Sequence, residues 1–287
     1  MRRAKLLFFW DYDTQWGADR SRSAGGPKKW GPLEFENTER LLELHAEYDL
    51  PACFAVVGAA AKPGQRPYHD PDQIRRIQKA GHEVGSHSYS HDWLPGLNRL
   101  TLTKTLRDSK AALEDCIGEA ITSFVPPYNQ PFDFPRRGSI SLSERRTAGA
   151  QRIGLRALCE ALNETGYRFC RVAYRPWKTR LAEWVLRKRI DAPSRIEHIA
   201  GISCVRLNTP GGFDGPALSM LDRCEDGYIV VYGHPHSVTS GNSQDIKYLV
   251  PFFRRVKDLR RAGRLQVLKP SETLSEQRQD ALQPTLA

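Results

Sequence analysis

Short apolar runs alternate along this chain with longer stretches whose apolar residues recur at helical spacing. KLLFFWDYD (5–13) predicts a buried strand, and FENTERLLELHAEYD (35–49) a helix beginning near Asn37 or Thr38. ACFAVVG (52–58) and HEVGSHS (82–88) predict two more strands, separated by a helix around PDQIRRIQKAG (71–81). LTKTLRDSKAALEDCIG (102–118) predicts a helix, SFVPPY (123–128) a strand, GLRALCEALNETG (154–166) a helix and FCRVAYR (169–175) a strand. ISCVRL (202–207), YIVVYGH (228–234), the helical DIKYLVPFFRRVKDLRRAG (245–263) and LQVLKP (265–270) complete the set. Apolar strands separated by helices argue for parallel βαβ units, and glycines at the helix ends supply stop signals.

Two segments break the rhythm. Residues 14–32 and 130–150 are long, polar and turn-rich, and both read as loops over one face of the scaffold. The second carries Phe132 and Phe134 with Arg136, Arg137, Arg145 and Arg146, a composition suited to stacking on a ring and pairing with phosphates. The division expected is a single α/β domain over 1–270 followed by a polar tail over 271–287 that frays.

Composition narrows the class only slightly. At 40% hydrophobic and 26% charged, the 287-residue chain is an ordinary globular sequence. LLFFW (6–10) is too short for a signal peptide or for a membrane span of about 20 residues, so the expected location is cytoplasmic and no transmembrane segment is expected. The six cysteines, with no CxxC pair, read as reduced and mostly buried. The net charge of +10 is densest in WVLRKR (184–189) and RRVKDLRRAGR (254–264). Solvated helix faces account for it, and attraction of an anionic substrate is the sharper alternative. No nucleic-acid motif accompanies the charge, so no nucleic-acid partner is expected.

The candidate chemistry lies at the predicted strand ends, where parallel α/β folds build their sites. Asp11 and Asp13 follow the first strand, His87 and His91 the third, Pro126-Pro127-Tyr128 the fourth, and His234 and His236 end YIVVYGH. His87, His91 and one of the two aspartates would supply three ligands to a metal such as zinc and leave positions open for water and substrate. His82 sits on a strand facing away from that group and reads as a packing or surface residue, and His236 as a neighbour or rim residue.

Taken together, these motifs resemble the polysaccharide deacetylases (carbohydrate esterase family 4), related to the chitooligosaccharide deacetylases. HSYSH (87–91) matches the family's His-Ser/Thr-x-x-His element, FVPPYN (124–129) resembles its Arg-x-Pro-Tyr/Phe element, and VVYGH (230–234) its late strand ending in histidine. WDYDT (10–14) looks like an Asp-x-Asp-Thr variant of the first element, seen in members acting on nucleotide- or lipid-carried sugars. The resemblance implies a distorted (β/α) barrel and hydrolytic removal of an acetyl or formyl group from an amino sugar, carrier-linked or part of a glycan. It implies a divalent metal, zinc first, with cobalt, nickel, manganese and iron as alternatives. Asp13, His87 and His91 would be the ligands, Asp11 the general base, the backbone N–H of Tyr128 an oxyanion donor and His234 the general acid. The third element departs from the pattern, because Val125 stands where the family carries an arginine that holds the base. Two other readings are hydrolysis of a cyclic amide or ureide, as in relatives resembling allantoinases, and a catalytically silent carbohydrate-binding protein.

Overall fold

A computed structural model of the protein describes residues 3–21, 26–131, 152–172, 181, 185, 194–209 and 211–282. The strands are β1 (Ala4–Tyr12), β2 (Cys53–Val56), β3 (Glu83–Ser86), β4 (Ser123–Phe124), β5 (Phe169–Val172), β6 (Ile196–Ile199), β7 (Ile202–Arg206), β8 (Gly227–Gly233) and β9 (Leu265–Leu268). They form one sheet in the order β6-β7-β5-β4-β3-β2-β1-β8, with β9 also on β1. All pairings between named strands are parallel except β6 with β7. The chain forms a single-domain, distorted (β/α) barrel.

Alternation along β1 shows why the sheet curls. Leu6, Phe8, Trp10 and Tyr12 pack outward into the layer between sheet and helices. Leu7 and Phe9 face inward, onto Cys53, Ala55, Val125, Phe169, Val205, Leu207, Val230 and Leu268. A strand apolar on both faces must be covered on both, and the barrel interior covers one of them. Between β7 and β8 the closure is made partly by side chains. Asn208 Nδ2 donates to the Tyr228 carbonyl (2.7 Å), Val230 N–H donates to Asn208 Oδ1 (3.0 Å), and Thr209 Oγ1 donates to the Val230 carbonyl (2.8 Å).

The helices around the barrel are α1 (Thr14–Arg20), α2 (Trp30–Tyr48), α3 (Pro71–Lys79), α4 (Arg99–Ile117), α5 (Leu155–Glu164), α6 (Gly215–Arg223), α7 (Ile246–Arg261) and α8 (Pro270–Leu282). Local signals set several ends. Asp70 caps α3 by accepting from Gln73 N–H, Asn98 caps α4 by accepting from Thr101 N–H, and Gly118 ends α4 in the left-handed conformation.

Several expectations change. Residues 14–32 are not all loop: Thr14–Arg20 is helical and α2 begins at Trp30, so Asn37 and Thr38 are buried helix-interior residues. The polar tail does not fray at Ser271. It continues as α8, tied down by Lys5–Glu276 (2.7 Å) and by Ser271 Oγ donating to Glu83 (2.8 Å), with Thr273 fully buried. β6 has no counterpart in the sequence reading, because its residues are only partly buried and lack an apolar face. Residues 132–150, most of 184–189 and the end of the expected strand 169–175 lie outside the described residues.

The dense basic stretch 254–264 lies on and just beyond α7. Arg255 pairs with Asp222 (2.6 Å) and Arg260 with Asp49 (3.1 Å), while Lys257 lies over the Tyr48 ring, which favours an ordinary solvated helix face. The six cysteines are free thiols, all buried except the half-buried Cys116. Among the described residues no helix is long and apolar enough to cross a membrane.

A buried histidine gives the fold a measurable pH response. His45 accepts from Trp10 Nε1 (2.8 Å) and donates through Nδ1 to the Leu50 carbonyl (2.7 Å), and burial holds its pKa down to about 3 against an ordinary 6.5. Below pH 6.5 the unfolded chain therefore binds a proton that the folded one refuses until about pH 3. This contribution to stability is present above pH 6.5 and is lost on acidification, at up to about 1.4 kcal/mol per pH unit. Urea titrations between pH 7 and 4 should show wild type losing stability faster than His45→Gln, which keeps an acceptor without titrating. Parallel curves for the two proteins would refute it.

Candidate functional site

Polar residues gather where β1, β3, β4 and β8 end. Alternation continues past Phe9 to put Asp11 on the inward side, and Asp13 lies two residues on, at the start of α1; both are buried. Gly17, one turn into α1, approaches so closely that a Cβ there would stand 2.5 Å from the Asp13 Cβ. An alanine at 17 would displace the Asp13 side chain.

His87 and His91 follow β3 on a tight turn in which Ser88 (φ 62°) and His91 (φ 58°) adopt the left-handed conformation. Gly58 N–H donates to the Ser88 carbonyl (2.9 Å), Ala59 N–H to the Tyr89 carbonyl (2.7 Å), and Asp92 N–H to Ser88 Oγ (2.8 Å). Thr14, Tyr128 and Asn129 are also left-handed, so five of the seven non-glycine residues with positive φ among those described lie around these strand ends. Such conformations cost about 1–3 kcal/mol each and collect where a site needs its side chains aimed.

Nδ1 of His87 donates to the Val125 carbonyl (2.7 Å), which leaves Nε2 as a lone-pair donor. That nitrogen lies 3.3 Å from Asp13 Oδ1, and His91 Nε2 lies 3.6 Å from the same oxygen. The ligand atoms of Asp13, His87 and His91 lie within 4.8 Å of one another, all on buried residues. Asp13 Oδ1 has no hydrogen-bond partner among the described residues. Burial holds His87 down at about 4 and His91 well below its ordinary value, so both are neutral, the ligating form, at neutral pH. Burial, then the Glu34 and Asp11 charges, push Asp13 well above the usual carboxylate range. Acceptor atoms facing each other in a buried, orphaned cluster fit a divalent cation, whose charge would reverse that shift.

Asp11 is held differently. Arg171 on β5 donates to both of its carboxylate oxygens, at 2.8 and 2.7 Å, and donates from the second nitrogen to Asn129 Oδ1 at 2.9 Å. Burial works to raise Asp11, but Arg171 and then His87 and His234 outweigh it and hold the carboxyl down at about 2. Removing one member of such a buried pair costs about 3–5 kcal/mol. Each oxygen keeps a second lone pair beyond the one Arg171 occupies.

His234, at the end of β8, has both its backbone N–H (2.7 Å) and its Nδ1 (3.1 Å) against Gln244 Oε1. An amide oxygen only accepts, so Nδ1 carries the proton and Nε2, 4.0 Å from Asp13 Oδ2, presents a lone pair. Burial is the main reason its pKa falls to about 4. Tyr128 lies on the turn after β4, its ring 4.6 Å from that of His91 and its hydroxyl donating to the Arg20 carbonyl (2.8 Å).

All six sequence-derived candidates, Asp11, Asp13, His87, His91, Tyr128 and His234, thus meet at one end of the barrel. His82 is elsewhere, accepting from Ala52 N–H (3.2 Å) and packed against His45 and Phe54. His236 backs the site: it meets the buried Glu34 (2.9 Å) and stacks on Trp30 at 4.4 Å, while Asn37 donates to the Pro235 carbonyl (2.8 Å). Sequence reasoning missed Arg171, Glu34 and Gln244. A signal existed for the first, since Arg171 interrupts the apolar FCRV and alternates onto the same side as Phe169.

A parallel (β/α) barrel with an Asp-His-His cluster at its strand ends defines the class, and comparison with known proteins shows what it is similar to. Residues 30–137 match the family model described as Polysaccharide deacetylase. Over 89 residues the chain is 34% identical to a peptidoglycan deacetylase of Helicobacter pylori, covering 31% of this chain and 28% of that protein. It is 32% identical over 92 residues to a chitooligosaccharide deacetylase of Sinorhizobium fredii, covering 32% and 40% respectively. The matched stretches therefore span well under half the length of these relatives. Among solved structures, a putative polysaccharide deacetylase from Mycobacterium smegmatis shares the fold over 100% of this chain and 94% of its own, with a TM-score of 0.62 and 20% identity. Puue allantoinase shares it over 94% and 89%, with a TM-score of 0.57 and 14% identity. Residues 30–137 are thus similar to the polysaccharide deacetylase family, and the chain as a whole shares the fold of these solved structures.

Proposed function

We propose that the protein is a metal-dependent hydrolase that removes an N-acyl group, acetyl or formyl, from an amino sugar. The observation that carries this reading is the convergence of Asp13, His87 and His91 as buried acceptors, with Asp11 and His234 beside them. Asp13, His87 and His91 would hold the divalent metal, with zinc the first choice for two imidazoles and a carboxylate. Bound there, it would polarise the amide carbonyl and acidify water.

The chain's own groups supply the remaining steps. Asp11, ionised at neutral pH because Arg171 stabilises its charge, accepts the proton of the attacking water through a lone pair that Arg171 leaves open. The backbone N–H of Tyr128 is assigned to the developing oxyanion. His234, neutral at rest with Nε2 towards Asp13, takes up a proton from solvent there and passes it to the departing amine, while Gln244 fixes the ring and Asp11 returns the proton it took from water to solvent. The products are a carboxylic acid and a free amino sugar.

Release of acetate and formate from a panel of N-acyl amino sugars (oligosaccharide, nucleotide-linked and lipid-linked), with zinc or cobalt supplied, tests the assignment. Turnover of one class identifies the substrate. Stoichiometric metal binding with no hydrolysis across the panel would favour the carbohydrate-binding reading. Because the fold is shared with an allantoinase, cyclic ureides belong in the same assay.

A further inference from the structure

We propose that Arg171 is a positioning residue that sets two parts of the site at once: the general base Asp11 and the Pro127–Asn129 turn that carries Tyr128. This rests on the deacylase reading above. It also resolves the departure at Val125, because the arginine function missing from the strand β4 segment is supplied from β5.

The geometry has three components. The Arg171 guanidinium forms a planar fork on Asp11, one nitrogen per oxygen, which fixes the rotation of the carboxylate as well as its place. Nη2 then donates to Asn129 Oδ1, so the same rigid group grips a turn in which Tyr128 (φ 56°) and Asn129 (φ 53°) are consecutive left-handed residues. The guanidinium itself has no freedom to drift: the side chain is fully buried, with Cζ 4.6 Å from the Tyr232 ring centre and 5.1 Å from that of Phe9.

The valine at position 125 cannot do this work. Val125 is fully buried in the apolar barrel interior, and only its backbone carbonyl reaches the site, where it orients His87. Nε of Arg171 is buried with no hydrogen-bond partner among the described residues. Holding a cation there with one donor unsatisfied is a poor way to stabilise a barrel, and it points to a positioning role rather than a packing one.

The test uses Arg171→Met, Arg171→Lys, Asn129→Ala and the double variant Val125→Arg/Arg171→Met, on the most readily hydrolysed substrate from the panel. Methionine keeps an apolar stem between Phe9 and Tyr232 and removes the fork. Arg171→Met is expected to bind zinc with wild-type stoichiometry and to lose on the order of 10²-fold in kcat with little change in KM, the scale of a misplaced reacting group. Arg171→Lys keeps the charge without the fork and should recover only part of that loss. Asn129→Ala, which leaves the Asp11 fork intact, should lose less than Arg171→Met. The double variant, with arginine at 125, should regain turnover relative to Arg171→Met. A metal-loaded Arg171→Met within threefold of wild-type kcat would overturn the proposal, as would a loss that Arg171→Lys restores in full. Crystal structures of the same variants give an answer independent of activity. In Arg171→Met the Asp11 carboxylate should turn and the Tyr128–Asn129 pair leave the left-handed region; if both stay in place, Arg171 does not position them. A wild-type protein inactive on every substrate overturns the deacylase reading, and the structures then still decide the role of Arg171.

Discussion

His87→Ala and His91→Ala should each purify without bound metal and without hydrolytic activity. The two imidazole nitrogens and Asp13 Oδ1 form the only group of three ligating side chains found among the described residues, so removing one leaves two protein ligands, too few to retain a labile divalent ion. His87 carries an added penalty, since its Nδ1–H satisfies the Val125 carbonyl and its loss leaves that buried oxygen short of a donor. The loss of activity should therefore be complete within detection, with thermal stability lowered more in His87→Ala than in His91→Ala, whose Nδ1 has no partner among the described residues. Metal analysis of the purified variants and isothermal titration with zinc provide the measurement. Full occupancy in either variant removes that residue from the ligand set.

The second large effect is expected at Asp11. Both of its oxygens are engaged by Arg171, whereas Asp13 Oδ1 faces the two histidines, and on the proposed mechanism this asymmetry gives the two carboxylates different roles. Asp11→Asn should keep its metal and lose about 10²-fold or more in turnover, the scale of a missing general base. It should also melt earlier, because Arg171 stays buried with its counter-charge gone. Asp13→Asn should instead weaken metal binding. If Asp11→Asn empties the site while Asp13→Asn keeps it full, the base and the ligand must be exchanged.

Much of the site was legible because its residues sit at strand ends, and strand ends can be read from apolar runs. LLFFW running into Asp-x-Asp, HEVGS into His-x-x-x-His and YIVVYG into His-Pro-His each place a polar group where a buried strand stops. Periodicity located the strands except β6, whose partly exposed residues carry no apolar alternation to read. It failed for Thr14–Arg20 and for α8, because TQWGADR and PSETLSEQRQDAL are polar segments whose helicity comes from docking against the barrel.

The sequence by itself determined the alternating strand–helix order and the identity of the six residues at the strand ends. Each of these follows from local chemistry: side-chain period, turn residues and a ligand type repeated at short spacing. Only the tertiary structure decided which groups hold which. Arg171 is 160 residues from Asp11, His236 is 202 from Glu34 and His87 is 38 from Val125, and no local pattern couples positions so far apart. The charge state of the site was likewise decided by the fold. Burial lowers the histidines, and the Arg171 guanidinium keeps Asp11 ionised against the same burial; both effects arise only once the barrel has buried these side chains.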